Sequence, residues 1–234
     1  MRTDELPVVI VGAGFSGTLL AINLLRQQVP VVLVERSDAQ VAKGLAFGTR
    51  QPDHLLNVRA SNMSAFPDDA GHFLRWMGFT EQEQANRFVP RLTYGLYLRE
   101  LLAEALARAG EAARLVHGEA LRFEGGGGAA QVVLADGTRL AGRALVLALG
   151  NLPPTRLAAL AGLPATHLVE NPWSAEAYAN VEPLDHVLLL GSGLTAVDVI
   201  LSLLSAGFSG RITADCRICR RSFPVPRAGQ PHAP

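Results

Sequence analysis

A glycine-rich stretch near the start of the sequence has the residue types and spacing of a phosphate-binding turn. It reads Gly12-Ala13-Gly14-Phe15-Ser16-Gly17, a GxGxxG pattern directly after the apolar run Val8–Val11. In such turns the first glycine permits a sharp bend, the second lets a pyrophosphate approach the backbone, and the third lets a helix pack on the strand. The free N–H groups at the helix start then face the phosphates. The stretch therefore predicts a site for the pyrophosphate of a dinucleotide.

The neighbouring elements complete a βαβ unit. Residues 8–11 suit a strand buried on both faces, residues 18–26 form a mostly apolar helix that ends before Pro30, and residues 31–34 form a second buried strand. Glu35 follows at the place where a carboxylate accepts hydrogen bonds from a ribose diol, and Arg36 stands beside it. Strand, glycines, helix, strand and acid in this order predict dinucleotide binding. The alternative is a glycine-rich turn that binds nothing.

A second unit of the same kind lies near the end of the sequence. Apolar residues 187–190 precede Gly191-Ser192-Gly193-Leu194-Thr195-Ala196, a GxGxxA pattern, and a helix and the strand 211–214 follow. Asp215 is expected to end this strand as Glu35 ends the first, because Gly12 and Glu35 are 23 residues apart and Gly191 and Asp215 are 24 apart. The repeat predicts a second dinucleotide site, with a vestigial turn as the alternative.

The segment between the two units has the pattern of short strands and turns. Four glycines at 125–128 and the hairpin signal Asp136-Gly137 separate apolar runs, and residues 144–149 form a buried parallel strand that ends in Gly150-Asn151. We therefore expect an α/β protein with Rossmann-like parallel sheets and a small antiparallel β-meander. The expected organisation is a first domain at 1–152, a proline-rich connection at 153–185 and the start of a second domain at 186–234.

Composition and charge give no sign of a nucleic-acid or membrane partner. Lys plus Arg and Asp plus Glu both number 21, so no net charge points to nucleic acid or to an anionic membrane surface. The sequence has no signal-peptide pattern and no apolar run near the ~20 residues of a membrane span. Two cysteines cannot form a secreted disulfide framework. A cytoplasmic protein without nucleic-acid or membrane partners is expected.

Several motifs in combination resemble one protein family. They are Gly12 to Gly17, His54-Leu55-Leu56-Asn57-Val58, Met63-Ser64-Ala65-Phe66-Pro67, Phe88-Val89-Pro90-Arg91, Asn171-Pro172-Trp173 and Gly191-Ser192-Gly193-Leu194-Thr195-Ala196-Val197-Asp198. Over residues 5–214 the chain resembles the bacterial FAD/NAD(P)-binding oxidoreductases. That family is similar to N-hydroxylating and other single-component flavin monooxygenases, and it includes relatives described as FAD-dependent urate hydroxylases.

The resemblance implies FAD at the first site and NADPH or NADH at the second. The implied contacts are Gly12, Gly14, Gly17 and Glu35 for the ADP half of FAD, Asn57, Met63 and Ser64 near the flavin, Gly150 and Asn151 where the chain passes FAD, and Gly191, Gly193, Thr195 and Ala196 for the nicotinamide cofactor. The irregular residues 36–67 are expected to lie over the cofactor, because loops of this length are uncommon unless functional, with an ordinary surface connection as the alternative. No catalytic base and no metal site are assigned, and His54 is given no role.

The sequence also departs from the family pattern. Family members are usually about twice as long and end in a segment whose Gly-Asp contacts the flavin phosphate and ribose; nothing after Gly210 supplies it. The tail after Asp215 is rich in proline and predicts no strand. The resemblance therefore implies a truncated or divergent member, in which flavin is expected to bind weakly or not at all.

The choice of nicotinamide cofactor has two opposed signals. Asp215 would favour the 2′-hydroxyl of NADH, whereas Arg217, Arg220 and Arg221 would bind the 2′-phosphate of NADPH. The resemblance favours NADPH.

Three functions remain open from the sequence. The first is an FAD- and NAD(P)H-dependent oxidoreductase of the monooxygenase type that acts on a small molecule. The second is a non-catalytic dinucleotide-binding protein. The third is a dithiol reductase that uses the CxxC pair Cys216 and Cys219.

Overall fold

The computed structural model describes residues 5–126, 129–151, 157–174, 177–215 and 223–224. The chain forms two compact units, Met1–Leu152 and Pro153–Pro234. Each unit is described by itself.

The first unit contains most of the regular structure. Its elements are β1 (Val8–Val11), α1 (Phe15–Arg26), β2 (Val31–Glu35), α2 (Gly44–Phe47), α3 (His72–Trp76), α4 (Gln82–Ala85), α5 (Arg91–Ala109), β3 (Ala113–His117), β4 (Ala120–Gly126), β5 (Ala129–Leu134), β6 (Arg139–Gly142) and β7 (Ala144–Leu147). No helix in the described part of either unit is long and apolar enough to cross a membrane.

A four-stranded parallel sheet forms the centre of this unit, in the order β3-β2-β1-β7. Both β1 and β2 are buried along their whole length, because both faces of the sheet are covered. Ile10 and Leu33 pack against the side of α1 and α5. Val9 and Val32 pack against the opposite side, where Val132 of β5 lies. The uniformly apolar composition of the two strands follows from this double burial.

The covering layer on the second face is a three-stranded antiparallel sheet in the order β4-β5-β6. Its second hairpin turns at Asp136-Gly137, where Gly137 has φ +86° and the N–H of Thr138 donates to Asp136 Oδ1 at 2.8 Å. The first hairpin turn, at 127–128, lies outside the described residues. The predicted α/β architecture, with parallel sheets and a small antiparallel meander, is confirmed.

An aromatic cluster joins α3 to α5. The rings of Phe73 and Trp76 stack with their centroids 6.1 Å apart, and Phe73 meets Tyr94 at 5.2 Å. The Tyr97 hydroxyl lies 2.9 Å from His72 Nδ1. Burial raises the pKa of both tyrosine hydroxyls. These contacts hold the short helix α3 on the long helix α5.

The second unit is built on a smaller sheet. It contains β8 (His186–Leu190), α6 (Leu194–Ser205), β9 (Arg211–Asp215) and β10 (Phe223–Pro224), with short 3-10 turns at Ala158–Leu160 and Ala165–His167. Strands β8 and β9 are parallel, and β10 pairs antiparallel with β9. The prediction of no strand in the tail is therefore wrong at 223–224, because the two residues there pair with Thr213 and Ala214.

One face of this smaller sheet is packed and the other is exposed. Val199 and Leu203 of α6 pack on Ile212, and Tyr178 joins the same core from the proline-rich segment. The Tyr178 hydroxyl donates to the carbonyl of Pro172 at 3.2 Å, and in the same segment the backbone N–H of Trp173 donates to the Asn171 side chain at 3.1 Å. On the other face Leu188 and Leu190 are 59% and 52% exposed.

At two glycines of the turn from β1 into α1 there is no space for a side chain. Gly12 has φ +99°, and a Cβ there would overlap the carbonyl oxygen of Ala148, which follows β7. A Cβ at Gly17 would overlap the carbonyl oxygen of Gly12 and lie 3.3 Å from the Cβ of Ala148. The two glycines therefore let α1 lie directly against the strand ends.

We predict that Gly17→Ala destabilises the first unit by about 1–3 kcal/mol, because the added methyl forces α1 away from the sheet. Urea unfolding followed by circular dichroism measures the change. Gly162→Ala is the control, because a Cβ at Gly162 has no atom within 4 Å. Equal stability of the Gly17 variant and the parent chain would contradict the close packing of α1.

Candidate functional site

The carboxylate of Glu35 closes the first glycine turn. One oxygen accepts the N–H of Ala13 at 2.8 Å, and the other accepts the N–H groups of Arg36 at 2.9 Å and Ser37 at 3.1 Å. The residue is 9% exposed. A carboxylate offers about four acceptor positions, so three of them are used by the backbone. One position remains for a ribose hydroxyl, and the predicted contact of Glu35 with the ribose stays a prediction.

A second backbone segment lies against this turn. Residues 42–44 of the irregular loop approach it, and the N–H of Ala42 donates to the carbonyl of Ala13 at 2.7 Å. A Cβ at Gly14 would lie 3.4 Å from the Cα of Gly44, and a Cβ at Gly44 would lie 3.5 Å from the backbone nitrogen of Phe15. Two glycines thus face each other across the start of α1. Residues 42–44 lie within the loop 36–67 that was expected over the cofactor, but no individual role was predicted for them, although Gly44 was a detectable signal.

The arrangement is suited to a phosphate group. The first N–H groups of a helix, here those of Phe15 and Ser16, have no partner inside the helix and carry the positive end of its dipole. Because Gly14 and Gly44 lack side chains, residues 42–44 pack within van der Waals distance of the start of α1. The residues present therefore fit the pyrophosphate of a dinucleotide such as FAD.

The other residues predicted near this site are either exposed or packed within their own loop. Gly150, with φ +70°, and the exposed Asn151 follow β7 at the same edge of the sheet as Gly12. The guanidinium of Arg36 is 73% exposed and lies 3.5 Å from Glu119. Asn57 is exposed, and its side chain makes no hydrogen bond with the described residues.

Met63 and Ser64 are engaged in the packing of their own loop. Met63 packs against the first core, and the Ser64 hydroxyl donates to the carbonyl of Asp69 at 2.6 Å and accepts the N–H of Phe66 at 3.1 Å. His54 is buried, and its Nδ1 lies 2.8 Å from the Thr49 hydroxyl. The Ser64 hydroxyl therefore positions the loop, and its predicted place near a flavin stays a prediction.

The second glycine turn is open. Gly191 has φ +119°, and a Cβ at Gly191 or Gly193 has no atom within 4 Å. Gly191, Ser192, Gly193, Leu194 and Thr195 are all exposed, and Ala196 is half-buried. In the first unit β7 lies on the far side of β1 and closes the turn, whereas in the described part of the second unit no strand lies beyond β8.

The strand register corrects one expectation about the second unit. The N–H of Gly12 donates to the carbonyl of Val34, and Val34 pairs with Val11, the residue before Gly12. In the second unit the N–H of Gly191 donates to the carbonyl of Asp215, and Asp215 pairs with Leu190, the residue before Gly191. Asp215 is thus the counterpart of Val34, and its predicted equivalence to Glu35 is wrong. Successive residues of a strand point to opposite faces, so Asp215 points away from the side that Glu35 uses.

In the sequence, position 216 follows Asp215 as Glu35 follows Val34. This residue, Cys216, lies outside the described residues, as do Cys219, Arg217, Arg220 and Arg221. The predicted roles of these five residues stay predictions.

We predict that Glu35→Gln destabilises the first unit by about 1–3 kcal/mol, because the amide nitrogen would face at least one backbone N–H that then lacks an acceptor. The midpoint of denaturant unfolding measures the change. Glu119→Gln is the matched control, since Glu119 is an exposed carboxylate at the same edge and its loss should cost under about 0.5 kcal/mol. Equal effects of the two substitutions would contradict the closing role of Glu35.

Comparisons with known proteins agree with this geometry. A family model described as FAD-NAD(P)-binding matches residues 9–152. The FAD-dependent monooxygenase azaH of Aspergillus niger is 30% identical over 135 residues, which are 53% of this chain and 32% of that enzyme. The match thus spans about a third of the length of this curated relative.

Solved structures show the same fold at low identity. A cyclohexanone monooxygenase mutant from Rhodococcus sp. Phi1 bound to NADP+ has a TM-score of 0.58 and 18% identity, over 91% of this chain and 38% of that one. Lactococcus lactis thioredoxin reductase has a TM-score of 0.56 and 16% identity, over 90% of this chain and 55% of that one. Because the family model covers more than half of the sequence, this chain belongs to the FAD-NAD(P)-binding family, and FAD and a nicotinamide dinucleotide are its cofactors.

Proposed function

We propose that the chain carries the cofactor sites of an FAD-dependent oxidoreductase that takes hydride from NAD(P)H and acts as a monooxygenase on a small molecule. The observation that carries the proposal is the first glycine turn, where the Glu35 carboxylate and the close packing at Gly12 and Gly17 hold the first N–H groups of α1 at the end of the sheet. The similarity to a FAD-dependent monooxygenase supports the reaction type. In this proposal FAD lies in residues 1–152, and residues 186–234 begin the NAD(P)-binding domain.

Each group of residues has a defined task in the proposed reaction. Bound FAD would supply the hydride acceptor and the means to activate oxygen. Glu35 holds the turn, the N–H groups of Phe15 and Ser16 bind phosphate, and Gly193 lets the nicotinamide cofactor approach the second helix. His54 takes no part in this assignment, because it is buried against Thr49.

We further propose that the nicotinamide cofactor is NADPH. The register places no carboxylate of β9 at the position of Glu35, so the repulsion that a 2′-phosphate would meet there is absent from the described strand. Position 216 takes that place in the sequence, and Arg217 follows it as Arg36 follows Glu35. A guanidinium pairs well with phosphate.

The first test is the visible absorption spectrum of the purified chain after addition of FAD and removal of free flavin. We expect a yellow protein whose flavin absorbance is lost on anaerobic addition of NADPH and returns with oxygen. In Gly193→Ala we expect unchanged FAD uptake and a loss of bleaching, because the methyl has room in the free protein but blocks the approach of the dinucleotide.

Two results would contradict the proposal. A chain that takes up no FAD would favour a protein that binds only the nicotinamide dinucleotide or neither cofactor. Bound flavin that NADPH does not reduce would favour the non-catalytic dinucleotide-binding alternative.

The cofactor proposal has its own test. We expect half-maximal flavin reduction at a lower concentration of NADPH than of NADH, and a change of less than about twofold in this ratio for Asp215→Asn, because Asp215 points away from the ribose side. For Arg217→Gln we expect the half-maximal NADPH concentration to rise about tenfold. A lower half-maximal concentration for NADH than for NADPH, or a strong gain in NADPH preference in Asp215→Asn, would overturn this assignment.

A further inference from the structure

We propose that Lys43 is a further binding residue of the first site and that its ammonium pairs with the diphosphate of the bound dinucleotide. The inference rests on the proposed placement of a dinucleotide at the first glycine turn. It adds an ammonium group to the backbone N–H groups that face the phosphates at this site.

The backbone on either side of Lys43 is anchored to the turn. Ala42 is fully buried with φ +66°, and its N–H donates to the carbonyl of Ala13. Gly44, with φ +56°, lies against Gly14. A non-glycine residue in the left-handed region is strained and is retained only where its surroundings hold it there. Consecutive Cα atoms are about 3.8 Å apart, so Lys43 starts one residue away from both contacts.

Helix α5 restricts the stem of the Lys43 side chain. A Cβ at Gly95 of α5 would lie 3.2 Å from Lys43 Cγ and 2.7 Å from the carbonyl oxygen of Phe47. Glycine inside a helix costs about 1 kcal/mol relative to alanine. The cost is accepted here because only glycine leaves room for the loop that carries Lys43. Tyr94, the neighbour of Gly95, also reaches Phe15 at the start of α1, with ring centroids 6.2 Å apart.

The charge of Lys43 has no partner within the described residues. Its side chain is half-buried, and it makes no ion pair or hydrogen bond there. The first turn of α1 contains no basic residue, because the only basic residue of this helix, Arg26, lies in its last turn. A dinucleotide diphosphate carries negative charge that a neighbouring ammonium can neutralise. Lys43 is also the only lysine among the 234 residues, so amine chemistry can address it selectively.

Isotope-labelled amine acetylation tests the position of Lys43. The full chain is acetylated with and without saturating ADP, and mass spectrometry measures modification of Lys43 and of the α-amino group, which is the internal control. We expect ADP to slow the modification of Lys43 at least about fivefold and to leave the α-amino group unchanged. Equal modification of Lys43 with and without bound ADP would overturn the inference.

Calorimetry tests the charge. We expect Lys43→Gln to weaken ADP binding about tenfold and Lys43→Arg to restore most of the affinity, because a charge-assisted contact with phosphate is lost and regained. Arg50→Gln is the matched control, an exposed cation of the same loop without a partner in the described part of the chain. Unchanged ADP affinity in Lys43→Gln would overturn the inference alone. Failure of the parent chain to bind ADP would overturn the proposed function with it.

Discussion

The hydrogen bonds between the Glu35 carboxylate and three backbone N–H groups determine the geometry of the first site. A buried carboxylate is costly unless several donors satisfy it, and here Ala13, Arg36 and Ser37 do so. Because Ala13 lies between the two glycines of the turn, the same bond that stabilises the charge also fixes the direction of the first N–H groups of α1. The donors for a phosphate are therefore oriented before any ligand arrives, which lowers the entropy cost of binding.

The two glycine turns share a sequence pattern and differ in their surroundings. In the first unit Ala148 and residues 42–44 enclose the turn, so its glycines are required by the protein itself. In the second unit the space around Gly191 and Gly193 is open in the described part of the chain. Substitution of Gly12 or Gly17 is therefore expected to change the stability of the fold. Substitution of Gly193 is expected to change ligand binding without changing stability.

Local patterns in the sequence were sufficient to predict the two βαβ units, the meander and the Asp136-Gly137 hairpin, because apolar runs and glycine spacing are determined over a few residues. The strand register could not be predicted in this way. From Gly12 to Val34 the chain uses 22 residues, and from Gly191 to Asp215, which has the same register position, it uses 24. A shift of one residue reverses the face of a strand side chain, so counting residues to the acid misplaced Asp215.

The contacts of the long loop, residues 36–67, could also not be predicted from the sequence. The left-handed conformation of Ala42 depends on its bond to Ala13, a tertiary contact that residue type does not reveal. The predicted place of Ser64 near the flavin rested on resemblance alone, and its hydroxyl is occupied within its own loop. Gly95 had a visible signal, a glycine inside the long helix α5, and its reason is the close approach of Phe47 and Lys43.

The positions of the two tryptophans allow the two units to be distinguished by fluorescence. The chain has two tryptophans, and each unit contains one of them: Trp76 stacks on Phe73 in the first, and Trp173 belongs to the second. Replacement of either indole leaves the other as the only source of tryptophan fluorescence. The unfolding of one unit can then be followed in the intact chain without a label, and the degree of cooperativity between the units becomes a measurable quantity.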